Sequence, residues 1–162
     1  MSSLRGPSRT ELLLEEYSLV FQSLELRDFL EIGELAKFLG LSRNLPIAIE
    51  VRIGNWIIYH ASLPGSTHEN QSWLDRKARV VILKHHSTLY ERVSAEERGV
   101  DWHQENNLPE ESYAIHGGGL PLITKEKGFV GVLLISGLPQ VDDHLLGVEV
   151  LTEFLARKAE LP

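Results

Sequence analysis

The sequence predicts an α+β fold in which one antiparallel sheet of about five strands is packed against flanking helices. Two pairs of strand-like segments joined by short turns carry that expectation, because hairpin-linked strands lie antiparallel while parallel neighbours need a crossover after each strand. A further observation is that segments with apolar residues at helical spacing separate the two hairpins, giving helix, strand, helix, hairpin, helix, hairpin, helix. At 162 residues the chain reads as a single domain, 1–162, long enough to bury roughly 70% of its unfolded surface without a disulfide or metal.

Met1 to Pro7 reads as a loose leader and Lys158 to Pro162 as a frayed end. Thr10 and Glu11 open a short helix. Tyr17 to Leu24 then has the aromatic and β-branched character of a first strand, although a continued helix fits nearly as well. Asp28 is placed to cap a helix whose Phe29, Ile32, Leu35, Ala36 and Leu39 recur at three- and four-residue spacing, with Gly40 at its C-cap. After Pro46, the Ile47, Ile49, Val51 alternation predicts a strand that turns at Gly54-Asn55 into Trp56 to His60. Ser66 and Glu69 have the spacing of a capping box for a helix running to His85 or His86, with Trp73, Lys77, Val80, Val81 and Lys84 along one side. Ser94 to Asn107 is polar and reads as a long loop with about one helical turn. Leu120 to Thr124 and Gly128 to Ser136 form the second hairpin around the charged turn Lys125 to Lys127. Pro139 suits the first turn of a closing helix, with Leu145, Val148, Leu151 and Leu155 as its buried side.

Composition narrows the function. Sixteen Lys and Arg against twenty-three Asp and Glu leave a net charge of −7, which argues against a nucleic-acid partner, since phosphate affinity comes largely from basic side chains. The absence of Cys excludes thiolate nucleophiles, Fe–S clusters and Cys-ligated zinc. No apolar run reaches the roughly 18 residues of a membrane span, and no secretory leader is evident, so a cytoplasmic location with no membrane partner is expected.

Three segments could carry chemistry. In His116 to Leu122 (HGGGLPL), three consecutive glycines cost backbone entropy, so they form either a tight turn into a strand or a loop that approaches a ligand or another subunit closely. A His-led glycine run also occurs in esterase oxyanion loops, but the Gly-x-Ser-x-Gly nucleophile elbow is missing here. In Ser136 to His144 (SGLPQVDDH), Asp142, Asp143 and His144 have the chemistry of divalent-metal ligands, or the two Asp simply complement the helix dipole. None of the seven His residues has the His-x-x-x-His or His-Glu-x-x-His spacing. In Asn70 to Lys77 (NQSWLDRK), Arg76 and Lys77 could anchor a carboxylate or propionate, or Trp73 and Lys77 could merely pack one turn apart.

These segments in this order resemble the haem-degrading-domain family, in its branch of small bacterial and fungal proteins, from about Ile47 to Leu155. The resemblance implies a profilin-like or PAS-like sandwich with an antiparallel five-stranded sheet, assembled as a homo-oligomer, a symmetric dimer or a larger ring. It also implies binding of a small molecule, with haem or a divalent metal as the cofactor to expect, although this branch has no firmly assigned reaction. Mapped residue by residue, it marks Asn70, Trp73, Arg76, Lys77, His116, Gly117, Gly118, Gly119, Pro121, Ser136 and Gly137 as ligand-side positions, and Asp142, Asp143 and His144 as the acidic end. Leu120 stands where the family commonly has Phe. The expected function is binding of a small anionic or haem-like ligand. The alternatives are an assembly protein whose motifs meet at subunit contacts, and a metal- or His-assisted enzyme using His116 or His144.

Overall fold

The computed structural model describes residues 6–160. The elements in chain order are α1 (Arg9–Ser18), β1 (Val20–Phe21), α2 (Leu26–Ser42), β2 (Ala48–Ile53), β3 (Trp56–Ser62), α3 (Glu69–Lys84), α4 (Thr88–Glu97), α5 (Trp102–Asn106), β4 (Gly119–Thr124), β5 (Gly128–Ser136) and α6 (Gln140–Glu160). One sheet of five strands runs in the order β1-β4-β5-β2-β3.

The α+β class holds, but the sheet is mixed. Both hairpins and the β2·β5 pair are antiparallel, whereas β1 lies parallel to β4 with Val20 opposite Ile123. Such a pairing between strands far apart in sequence leaves no turn signal. Most of the expected strand from Tyr17 to Leu24 is absent, because α1 runs on to Ser18 before the two-residue β1.

Helices cover both faces of the sheet. On one, Ile49, Val51, Leu133 and Ile135 pack against Phe29, Ile32 and Leu35 of α2 and against Leu146, Val150, Leu151 and Phe154 of α6. On the other, Ala48, Val132 and Leu134 lie under Leu74, Ala78 and Val81 of α3. Burial on both faces explains why Gly128 to Ser136 is a nearly unbroken apolar run rather than an alternating one.

Several helix boundaries differ from expectation. Ser8 caps α1 with Glu11 in a full capping box, so the helix starts before Thr10. Asp28 is not the N-cap of α2: its carboxylate reaches back to accept the Glu25 N–H at 2.7 Å. Gly40 is not its C-cap, because the helix continues to Ser42 and a Cβ at Gly40 would meet Leu63 at 2.5 Å. At α3, Thr67 N–H bonds Asn70 Oδ1 and Ser66 Oγ donates to the Leu63 carbonyl, so Ser66 does not form the box with Glu69. The expected loop from Ser94 to Asn107 holds the end of α4 and all of α5, helices capped by Ser87 and Asp101. Their few apolar residues find partners elsewhere: Leu89 and Tyr90 on Leu12, Ala95 and Trp102 on Val80. Of the expected buried face of α6, Leu151 is buried and Val148 and Leu155 pack half-buried against the core, but Leu145 is exposed, and Leu146, Val150 and Phe154 are also inside. The helix also extends into the anticipated frayed end as far as Glu160, and Lys158 Nζ donates to Asp28 at 2.9 Å. Met1 to Arg5 of the expected leader, and Leu161 and Pro162, lie outside the described residues.

Candidate functional site

The C-terminal end of β5 feeds directly into α6, and this junction forms the floor of the site. Asp143, in the first turn of α6, accepts the N–H groups of Leu138 (3.0 Å) and Gly137 (3.3 Å). It thereby fixes the turn that joins strand to helix. From α3 across the sheet, Lys77 Nζ donates to the Ile135 carbonyl at 2.9 Å and to Asp143 Oδ2 at 3.3 Å. Both side chains are 3% exposed. Burial penalises their charged forms, so the Asp143 carboxyl is pushed up to about 6 and the Lys77 ammonium is pulled down, their mutual attraction offsetting only part of the cost.

The glycine loop closes over this pair. Gly118 has φ +125°, a conformation that disfavours a side chain, and a Cβ there would lie 2.3 Å from the Ile135 carbonyl oxygen and 2.8 Å from Lys77 Nζ. A Cβ at Gly117 would meet the Gln140 carbonyl oxygen at 2.3 Å. One at Gly119 would crowd Val81 and Thr88, whose Oγ1 accepts the Gly119 N–H at 3.0 Å. The triple glycine is therefore where the chain threads between α3, α4, the end of β5 and the start of α6.

Beside the loop is a cavity of about 280 Å³ lined by Asn70, Trp73 and Lys77 from α3, His116, and Ser136, Gly137, Leu138, Gln140 and Asp143 from the β5–α6 junction. Asn70 Nδ2 donates to Ser136 Oγ at 3.1 Å, joining two of its walls. Trp73 and His116 meet edge to face at 4.7 Å between ring centres. His116 Nδ1 is buried and has no hydrogen-bond partner among the described residues. Burial, followed by the nearby charges of Arg92, Lys77 and Arg76, depresses the affinity of His116 for a proton, which favours the neutral imidazole.

The three sequence segments thus converge, though not in every residue. Asn70, Trp73, Lys77, His116, Ser136 and Gly137 line one cavity, as does Asp143, expected instead among the metal ligands. Arg76 does not line it. Its guanidinium lies 4.4 Å from the Trp73 ring centre and donates to the Glu110 carbonyl at 2.6 Å, bordering a second cavity of about 290 Å³ that also touches His116. Gly117, Gly118 and Gly119 shape the surroundings from outside the cavity lining, whereas Pro121, on β4 opposite Val132, is not part of that lining. Asp142, Asp143 and His144 do not come together: Asp142 is exposed, Asp143 holds Lys77, and His144 Nε2 lies 2.6 Å from Glu15 Oε1 on α1. Consecutive helix positions point about 100° apart, which separates them. Among the described residues no group of three or more His, Asp or Glu side chains is placed to hold a metal ion. Gln140 and Leu138 were not singled out from sequence. Gln140 stood within a quoted segment, but only the folded turn shows that its side chain faces the glycine loop, where Oε1 accepts the Gly117 N–H at 3.4 Å.

A single sheet sandwiched between helices, with a polar cavity where strand β5 gives way to helix α6, defines a small α+β protein with a ligand-sized pocket. The model of the family described as haem degrading protein HbpS-like matches residues 24–152, and the chain belongs to that family. A UPF0303 protein of Streptomyces avermitilis is 36% identical over 153 residues, covering 94% of each chain. One from Rhizobium johnstonii is 35% identical over 143 residues, covering 88% of each. Among solved structures, the Ybr137w protein superposes with a TM-score of 0.85 at 22% identity, over 94% of this chain and 91% of that one. A PduOC:heme complex does so with a TM-score of 0.67 at 14% identity, over 80% and 94%. These two likenesses concern the fold alone.

Proposed function

We propose that this protein binds a small anionic ligand in the cavity between α3, the glycine loop and the β5–α6 junction. The observation that carries the reading is the convergence of three distant segments on one 280 Å³ space with an aromatic wall and polar groups on its other sides. Beyond the Lys77–Asp143 pair, whose charges offset each other, the Asn70 amide and the positive end of the α6 dipole, entered at Gln140, favour negative charge there, while Trp73 offers a flat apolar surface. The volume of about 280 Å³ lies just below the roughly 300–1,000 Å³ usual for ligand pockets, which suits a compact carboxylate better than a large ring system.

A second reading, a haem-like ligand, is favoured by one atom. His116 Nδ1 is a buried imidazole nitrogen with no partner among the described residues, the donor type that haem iron takes, and Arg76 beyond Trp73 suits a propionate. When bound, haem would supply iron-centred redox chemistry; His116 would hold it and Trp73 would exclude water from one side. The family and the haem-complex neighbour agree with this reading, but a tetrapyrrole is larger than the cavity, which places it second.

Calorimetric titration with small carboxylates from acetate to citrate, and separately with hemin followed at the Soret band, tests both readings. One carboxylate site per chain that His116→Ala and Trp73→Leu weaken is the expected result. Hemin binding abolished by His116→Ala, without carboxylate binding, would replace the first reading with the second. Binding of neither ligand, or binding that both variants leave unchanged, would remove the cavity from the function.

A further inference from the structure

On the α3-facing side of the sheet, away from the cavity, one imidazole is engaged at both ends. His60 Nδ1 lies 2.8 Å from Glu50 Oε2, and His60 Nε2 lies 2.8 Å from Ser62 Oγ. A carboxylate only accepts hydrogen bonds, so Nδ1 carries the ring proton and Nε2 accepts from the Ser62 hydroxyl. We propose that Ser62, His60 and Glu50 form a hydrolytic centre in which Ser62 Oγ attacks small carboxylic esters, His60 is its general base and Glu50 orients the imidazole.

Sheet register builds the arrangement. His60 on β3 stands opposite Glu50 on β2, and Ser62, two residues on, shares their face. The Leu63 N–H donates inward to the Ile47 carbonyl, so strand alternation turns the N–H groups of His60 and Ser62 outward. Because β3 is an edge strand, the Ser62 amide is left at the open edge beside its own hydroxyl, a donor for an oxyanion forming at the attacked carbonyl. Glu50 is only 1% exposed and is secured by Arg52 Nε at 2.7 Å and Gln71 Nε2 at 2.9 Å, while Arg52 also reaches Asp75. The acid is therefore rigid and buried, whereas Ser62 is exposed and His60 is 36% exposed, open to ester and water. Such a constellation is recognised by geometry and roles rather than by sequence order, and it needs no nucleophile elbow.

The chemistry balances without a cofactor. As Ser62 Oγ bonds to the ester carbonyl carbon, its proton passes to His60 Nε2. The bond to the alcohol oxygen then breaks, and the alcohol leaves with that proton. Water repeats the sequence on the acyl-serine, so ester plus water gives acid plus alcohol. Ala48 lies between Ser62 and Ser136 in one row across the sheet, two strand spacings or roughly 10 Å from the cavity wall, so this proposal stands apart from the ligand reading.

The test uses the intact protein, a phosphonofluoridate probe and p-nitrophenyl acetate. The expected result is one label per chain, mapped by mass spectrometry to Ser62 and absent from Ser62→Ala and His60→Ala. Hydrolysis should fall by about a hundredfold or more in Ser62→Ala. Glu50→Gln should lower kcat with KM unchanged in protein whose thermal melt shows it fully folded, so that loss of folded chains does not account for the fall. Ser62 is exposed, so its variant keeps the fold, and a matching thermal melt checks this. No label on Ser62, or hydrolysis by Ser62→Ala at the wild-type rate, overturns the proposal.

Discussion

Gly118 and Asp143 show how single positions set the site. A methyl group at Gly118 would collide with the Ile135 carbonyl oxygen in a backbone conformation that already disfavours it. Gly118→Ala should therefore cost about 2–3 kcal/mol, measured by urea unfolding. Asp143 holds its proton up to about pH 6 in the folded chain. The unfolded carboxyl releases it near pH 4. Between these values the folded state binds more protons, so this residue's contribution makes stability fall as pH rises and is flat again above about 6. Asp143→Asn should remove that slope while losing stability at every pH, and unfolding curves from about pH 4 to about pH 7 for both proteins check it. The glycine run and the flanking lysine and acid were legible as unusual residues. That Asp143 serves Lys77 and the turn rather than a metal was not, because the pairing spans 66 residues of sequence.

At the scale of elements, the long apolar runs and helical spacings of α2, α3 and β5 located them correctly. Helix α4 was hidden because it buries only three apolar residues, against partners distant in sequence, and α5, where about one turn was expected, buries only Trp102. Helix α1 illustrates such docking. Its Leu12 sits on α4, its Glu16 accepts from His86 Nδ1 and the Ser87 N–H, and its Glu15 meets His144 of α6. Glu15→Ala would leave both nitrogens of the buried His144 without a partner among the described residues, where Nδ1 already has none. The expected loss is about 1–3 kcal/mol. Hydrogen exchange should speed up in Arg9–Ser18 before it does so in the central strands, which amide-exchange mass spectrometry would show.

For the molecule as a whole, the three tryptophans occupy distinct environments: Trp56 is exposed on the edge strand, Trp102 is buried under α4, and Trp73 borders the cavity. A ligand in the cavity should change the fluorescence of Trp73 alone, so the saturable signal should vanish in Trp73→Phe and persist in Trp56→Phe. The same ligand at a hundred times its Kd should add about 2.7 kcal/mol to unfolding stability, read as a rise in Tm.

The amino-acid sequence by itself determined the α+β class, the two hairpins, the principal helices, the family and the three segments that matter, because hydrophobic period, turn residues and local motifs are written in contiguous stretches of chain. Only the tertiary structure decided that β1 joins the sheet in parallel, that Arg76 stays outside the cavity, that the acidic cluster diverges, and that Ser62, His60 and Glu50 align. Those outcomes depend on strand register and on where helices dock. These are long-range contacts whose energy comes from burial and pairing between residues that no local pattern connects.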